Sequence, residues 1–194
     1  FILLSSLTLN AQDSLNMKLN YNWVDTAGLY YNTYFGINHY FNEVWGWAND
    51  STGEEYAIMG AADGTYFFNV TNVDSCYKID YIEAKDRADI HRDYKSFGNY
   101  VYMVADEGNN SLQIYDMSSL PDSVTLVYDS DEFVQNSHNI YIEDSVLYMV
   151  SPRVPGDDPT GLRLLDLSVD PANPTLISDF YLPNDGSQGN HIHD

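Results

Sequence analysis

Cysteine and basic residues are scarce in this sequence. Cys76 is the only cysteine among 194 residues, which excludes an intrachain disulfide and a zinc–thiolate cluster. Only 8 lysines and arginines stand against 29 aspartates and glutamates, so the formal net charge is −21 at pH 7. Such a chain is repelled by the phosphate backbone of nucleic acids and by anionic membranes. The partners that remain are cations, or sugars stacked on exposed aromatic rings, unless the charge serves only to keep the surface solvated.

The sequence also lacks the common catalytic motifs and an apolar run that would span a bilayer. It contains no nucleophile elbow, no phosphate-binding loop and no CxxC pair. The apolar run FILLSSLTL at residues 1–9 is too short to cross a membrane. Because the run is followed by Ala11-Gln12, we interpret residues 1–11 as the remnant of a secretory signal peptide. The alternative is an apolar tail or strand.

What the sequence does contain is a repeated β-rich segment. Residues 91–118, HRDYKSFGNYVYMVADEGNNSLQIYDMS, place apolar runs between the turn signals GN and EGNNS, which predicts three strands. Similar segments occupy residues 42–71 and 137–168, and equivalent positions recur about every 50 residues. A fourth strand is predicted after each segment, at residues 76–82, 124–129 and 175–182.

A repeat of about 40–50 residues with four strands is typical of a β-propeller blade. We therefore predict an all-β propeller of four-stranded blades, with about three blades and the start of a fourth present. A β-sandwich also has regularly spaced strands, but it does not require the same residues at the same places in every unit. Closed propellers have about 4–8 blades, so we expect the chain to be part of a longer protein cut at both ends.

The repeat divides the chain into predicted parts. Residues 1–11 are the signal remnant, and residues 12–41 are an N-terminal strand and loop, with a possible blade-closing strand at 17–24. The blades are predicted at 42–87, 88–134 and 135–187, and the next blade starts at 188–194.

Several segments carry a family resemblance. SLQIYDMSSLPDS and GLRLLDLSVDPANP resemble the LVIVD repeat. NEVWGW, DGTYFFNVT, HRDYKSFGNYVYMV, SHNIYIED and HIHD resemble the choice-of-anchor B family of secreted bacterial repeat proteins, over residues 42–194. The resemblance implies a secreted or cell-surface β-propeller, with an anchoring or sorting region beyond the end of this sequence. The sequence departs from the repeat pattern at Asn69, where the family pattern has aspartate.

Polar residues recur where the first strand of each unit begins. In a propeller these strands line the central channel, so equivalent residues lie at equal height around it. A ring of carboxylate and amide oxygens suits Ca²⁺ or another divalent cation, and the alternative is that these side chains cap the backbone between blades. The candidate metal ring is Glu43, Asp93, Asn139 and Asp194, and the channel-mouth candidates are His91, Arg92, His138, His191 and His193. His191 and His193 lie two residues apart, on one side of the predicted strand, as a zinc site requires.

Two functions are compatible with these observations. The first is a secreted or cell-surface repeat scaffold that acts as a non-catalytic binding or adhesion module for an extracellular protein or glycan. This function implies no particular cofactor. The second is a calcium- or other metal-dependent hydrolase or lactonase with its site at the channel mouth. In the second case Asp93→Ala abolishes metal uptake. The acidic loop at residues 152–161 offers too few oxygen ligands for a calcium loop and is read as a solvated surface loop.

Overall fold

The computed structural model of the protein describes residues 18–24, 30–32, 37–87, 89, 91–154 and 161–181. Within these ranges the regular secondary structure consists of β-strands, which we number β1 to β14 in chain order. A short antiparallel pair consists of β1 (Tyr30–Asn32) and β2 (Ile37–His39). The remaining strands form three four-stranded antiparallel sheets, which we call units 1, 2 and 3.

Each unit is a meander in which strands consecutive in sequence pair with one another. Unit 1 consists of β3 (Phe41–Ala48), β4 (Glu55–Ala61), β5 (Gly64–Asn69) and β6 (Tyr77–Glu83). Unit 2 consists of β7 (Arg92–Phe97), β8 (Tyr100–Ala105), β9 (Leu112–Asp116) and β10 (Thr125–Ser130). Unit 3 consists of β11 (Asn139–Glu143), β12 (Val146–Val150), β13 (Leu162–Asp166) and β14 (Thr175–Phe180). In all three units the register shifts between the third and fourth strands. The predicted four-strand repeat is confirmed.

The units pack on one another through the two faces of unit 2. In β8 the side chains of Val101 and Met103 enter a core shared with unit 1, while those of Tyr102 and Val104 enter a core shared with unit 3. All four residues are almost completely buried. Successive residues of a strand point to opposite faces, so a strand covered on both faces needs apolar side chains at every position. This explains the unbroken run YVYMVA in the sequence.

A third core lies on the face of unit 1 that points away from unit 2. Tyr66 and Phe68 of β5 are buried there, and the ring centroid of Trp23 lies 4.9 Å from that of Tyr66 and 5.1 Å from that of Phe68. Trp23 belongs to residues 18–24, which form no regular strand. The strand predicted at residues 17–24 is therefore wrong over its described part, since the segment covers unit 1 by its tryptophan ring and does not pair in a sheet.

Other expectations concern parts of the chain that the structure covers in part or not at all. The tyrosine-rich interval before unit 1 contains the short β1–β2 sheet. The signal remnant at 1–11, the loop residues 155–160 and the start of a further unit at 188–194 lie outside the described residues. In the part of the chain that is described, no helix is long and apolar enough to cross a membrane.

The turn between β7 and β8 depends on a glycine. Gly98 has a φ of +57°, and the space where a Cβ atom would lie is open. Gly46 in β3 has equally open surroundings but no left-handed φ. We expect Gly98→Ala to lower the free energy of unfolding by about 1 kcal/mol, because an L-residue is strained in this conformation.

The matched variant Gly46→Ala isolates the effect of φ. It should leave the free energy of unfolding unchanged or raise it by up to about 1 kcal/mol, since alanine restricts the unfolded chain. Urea titration monitored by tryptophan fluorescence measures both values. Equal losses in the two variants would show that the conformation of Gly98 does not determine the result.

Candidate functional site

The first strands of the three units are neighbours in space. β7 lies between β3 and β11 and contacts both. Glu43, Asp93 and Asn139 lie on these three strands, as the repeat predicted. Asp194, the fourth member of the predicted ring, lies outside the described residues, as do His191 and His193.

Asp93 links unit 2 to unit 3. Its Oδ2 atom accepts a hydrogen bond of 2.7 Å from the backbone amide of Ile140 at the start of unit 3. Its Oδ1 atom accepts hydrogen bonds of 2.6 Å from Lys95 Nζ and 2.9 Å from the backbone amide of Tyr94. Lys95 Nζ also lies 4.7 Å from the ring centroid of Trp45 in unit 1. The carboxylate thus already holds a cation, the ammonium group of Lys95.

The other two described ring residues occupy different surroundings. Asn139 lines a cavity of about 350 Å³ together with Asp93 and Lys95. Glu43 lines a separate groove of unit 1, and its Oε1 atom accepts a hydrogen bond of 2.9 Å from the backbone amide of Val44. The register of β3 shifts between Phe41 and Val44, which changes the direction of the side chains between them. The structure therefore brings Asp93 and Asn139 to one cavity and Glu43 to another groove.

Arg92 links units 1 and 2 at the start of β7. Its side chain is completely buried, and Nη2 lies 2.8 Å from Oδ2 of Asp89, whose side chain is also buried. Arg92 Nε donates a hydrogen bond of 2.9 Å to the backbone carbonyl of Ala61 in unit 1. Asp89 Oδ2 accepts a further hydrogen bond of 2.8 Å from Asn110 Nδ2. Burial raises the pKa of Asp89 to about 7, although the positive charge of Arg92 and the hydrogen bond from Asn110 both act to lower it.

The side chains around this pair lie at one edge of the sheets. This edge carries the connection from the second to the third strand of each unit and the connection from one unit to the next. We call it the upper edge. The turn at residues 106–110, between β8 and β9, is tied there to both neighbouring connections. The amide of Asn109 donates a hydrogen bond of 2.7 Å to Asp86 Oδ2, and Asn136 Nδ2 donates one of 2.7 Å to the carbonyl of Gly108. These bonds fix the turn on both sides.

Two histidines and two carboxylates meet on this turn. We call this group, His91, Asp106, Glu107 and His138, the His–carboxylate cluster. His91 Nδ1 lies 2.5 Å from Glu107 Oε1, and His138 Nδ1 lies 2.8 Å from Asp106 Oδ2. One potential ligand atom from each of His91, Asp106 and Glu107 lies within 4.8 Å of the other two. Among the residues that the structure describes, these three form the group of histidine and acidic side chains arranged closely enough to share one metal ion.

Sequence reasoning selected both histidines of the cluster but missed its two acids. Glu107 opens the segment EGNNS, which predicts only a turn, and Asp106 directly precedes that segment. The antiparallel register supplies the missing signal, because Arg92 pairs with Ala105. The residues just beyond that pair, His91 and Asp106, must then lie side by side, so a polar residue before the first strand of a unit meets one after its second strand.

No family model matches the chain, and no curated protein matches it.

Proposed function

We propose that the three units are consecutive blades of a β-propeller of the LVIVD-repeat, choice-of-anchor B type, exported to the cell surface or beyond it. Three observations support this proposal. Each unit is a four-stranded meander, consecutive units pack face to face, and their first strands lie next to one another. Neighbouring blades of a β-propeller share these three features, which supports the proposal. The signal-like residues 1–11 support export.

We further propose that the protein is a non-catalytic binding or adhesion scaffold for an extracellular protein or glycan. The observation that carries this proposal is that polar side chains at the start of a first strand bond to the backbone of the neighbouring units. Asp93 bonds to the amide of Ile140 in unit 3, and Arg92 bonds to the carbonyl of Ala61 in unit 1. Groups that fix one sheet against the next make a rigid support for loops, and this role accounts for them without a substrate.

The upper edge is the surface that we assign to the ligand. Its connections carry an excess of acidic side chains, so a polyanionic partner is repelled and a neutral glycan or a basic protein surface is favoured. The acidic residues described on these connections are Asp63, Asp86, Asp89, Asp106, Glu107, Asp131 and Glu132, against Lys85, Arg87 and Arg153.

The alternative function, a metal-dependent hydrolase or lactonase at the channel mouth, needs an ion between Asp93 and Asn139. The ammonium group of Lys95 lies 2.6 Å from Asp93 Oδ1 and occupies the place of such an ion. An ion there would have to displace Lys95 and compete with the amide of Ile140 for the same carboxylate. This cost favours the scaffold over the hydrolase.

A binding array with two matched variants tests the scaffold. The purified chain is applied to immobilised polysaccharides and extracellular proteins, and hydrolysis of a chromogenic lactone is measured in parallel. We expect saturable binding to at least one immobilised partner and no lactone turnover. The pair Asn109→Ala and Gln135→Ala, whose side chains bond to each other across the upper edge, should weaken binding at least about tenfold, or about 1.4 kcal/mol.

The control pair lies at the opposite edge of the sheets. Ser119→Ala with Asp122→Ala alters two exposed residues of the connection between β9 and β10 and should leave binding unchanged. Equal losses in the two pairs would contradict the assignment of the upper edge. Absence of binding to the whole panel, together with lactone hydrolysis that a chelator abolishes, would overturn the scaffold in favour of the enzyme.

A further inference from the structure

The geometry points to a site for a divalent transition-metal ion, with Zn²⁺ as the best match, at the His–carboxylate cluster. The ligands that we assign are His91, Asp106 and Glu107, and His138 positions one of them. The proposal is independent of the scaffold function and of the ring of first-strand residues predicted from the repeat. None of the three ligands takes part in the Arg92–Asp89 pair that joins units 1 and 2.

The three ligands are held by strand register and by hydrogen bonds between their two chain segments. His91 precedes β7 and Asp106 follows β8, and the amide of Asp106 donates a hydrogen bond of 3.1 Å to the carbonyl of His91. The amide of His91 donates one of 3.2 Å to Glu107 Oε2. Two chain segments are thereby locked together at the point where their side chains converge. A metal site of this kind pays little ordering entropy when an ion binds.

His138 distinguishes this group from a chance gathering of surface acids. It comes from the connection between units 2 and 3, a third segment of the chain, and its Nδ1 atom lies 2.8 Å from Asp106 Oδ2. A partner of this kind orients a ligating carboxylate, as outer groups do around bound metals. The turn that carries both acids is anchored as well, because Asn110 Nδ2 donates a hydrogen bond of 2.7 Å to the carbonyl of Glu107.

The donor set decides which ion fits. One imidazole nitrogen with two carboxylate oxygens suits zinc and the other borderline divalent ions, whereas Ca²⁺ takes six to eight oxygen ligands. The side chain of His91 is about half exposed, at 51%. A fourth position is thus accessible to water, or to a hydroxyl or carboxylate group of a ligand bound on the upper edge. The acidic surroundings raise the local concentration of cations.

Calorimetric titration of the chelator-treated full chain with ZnCl₂ tests the proposal. We expect one Zn²⁺ per chain at this site. His91→Gln and Glu107→Gln should each weaken binding about 100-fold, and His138→Gln should weaken it about tenfold, since outer partners of metal ligands contribute 10–100-fold. Glu132→Gln, an exposed acid of the same edge, should leave the affinity unchanged. His91 is exposed enough that its replacement is compatible with folding, which circular dichroism without metal checks.

Histidines outside the described residues offer a second way to bind zinc. The variant His191→Gln with His193→Gln is therefore titrated as well. Loss of Zn²⁺ binding in that variant with full affinity in His91→Gln would overturn the proposal, and so would absence of binding to the wild-type chain. As a second readout, the absorption spectrum of the Co²⁺-loaded protein should change in His91→Gln and remain the same in Glu132→Gln.

Discussion

Replacing Arg92 with methionine should lower the free energy of unfolding by about 3–5 kcal/mol at pH 8. The guanidinium group is completely buried and donates hydrogen bonds to Asp89 Oδ2 and to the carbonyls of Ala61 and Asp86. Methionine retains the apolar stem but makes none of these bonds. Asp89 then keeps the hydrogen bond from Asn110 but loses the positive charge of Arg92 beside its carboxylate. Urea titration measures the loss.

The loss should depend on pH in a defined direction. Burial raises the pKa of Asp89 from 3.8 to about 7 in the folded protein, so the folded state binds the proton more tightly than the unfolded state. A group of this kind contributes stability below its unfolded pKa, and that contribution is lost as the pH rises through the folded value. Without Arg92 the folded pKa of Asp89 rises further. The difference between variant and wild type should therefore be larger at pH 8 than at pH 5.

Two further variants separate the buried charge from general damage to the core. Arg87→Met removes an exposed arginine that pairs with Glu83, and it should change the free energy of unfolding by less than about 1 kcal/mol. Arg92→Met combined with Asp89→Asn removes both charges of this buried pair and should recover part of the loss. A loss that is the same at pH 5 and pH 8, and unchanged in the double variant, would show that Arg92 stabilises the protein by packing alone.

The strands of the three units could be predicted because each carries its own local signal. The run YVYMVA is apolar throughout and lies between turn residues, and β8 extends over Tyr100–Ala105 as expected. The sequence predicts the fourth strand of unit 2 at Val124 to Asp129, and the observed strand, Thr125–Ser130, begins and ends one residue later. Hydrophobic pattern and turn chemistry suffice for such elements, since both act within a few residues.

The N-terminal segment shows where that local signal fails. MKLNYNWV has the alternation of a strand, yet residues 18–24 are irregular, and the Trp23 ring packs at 58° to the ring of Tyr66 and at 68° to that of Phe68 in unit 1. Pairing in a sheet requires a free strand edge, and nothing in the segment itself says whether such an edge is available. Tertiary context decides between a paired strand and a covering segment.

The sequence predicts which residues belong to the candidate site better than it predicts the contacts that these residues make. Repeat spacing placed Asp93 and Asn139 near each other, and they share a cavity. The pairing of Lys95 with Asp93 also follows from the strand, because residues two apart lie on the same face. The burial of Asp89 had no such signal. It lies in the charged segment AKDRADI, which reads as a solvated connection, and only the folded positions of Arg92 and Asn110 make it part of the interior.

Asp93→Ala should lower the free energy of unfolding by about 3 kcal/mol. The substitution leaves the backbone amide of Ile140, an interior donor, without its acceptor and removes the partner of Lys95. Each hydrogen bond to a charged group contributes about 1.5–3 kcal/mol, and an unsatisfied buried donor costs about 1–3 kcal/mol. Asp93→Asn retains one acceptor oxygen and should fall between wild type and Asp93→Ala. Urea titration of the three proteins gives the order.

The same variants decide between the two roles considered for Asp93. If this carboxylate joins units 2 and 3, Asp93→Ala loses stability in the absence of any metal and still binds Zn²⁺ at the His–carboxylate cluster with wild-type affinity. The exposed Asp122→Ala serves as the matched control and should change stability by less than about 0.5 kcal/mol. If instead Asp93→Ala keeps its stability but loses a divalent ion that the wild type binds, Asp93 is a metal ligand at the start of the first strands, because only an ion would then account for the carboxylate between the two sheets.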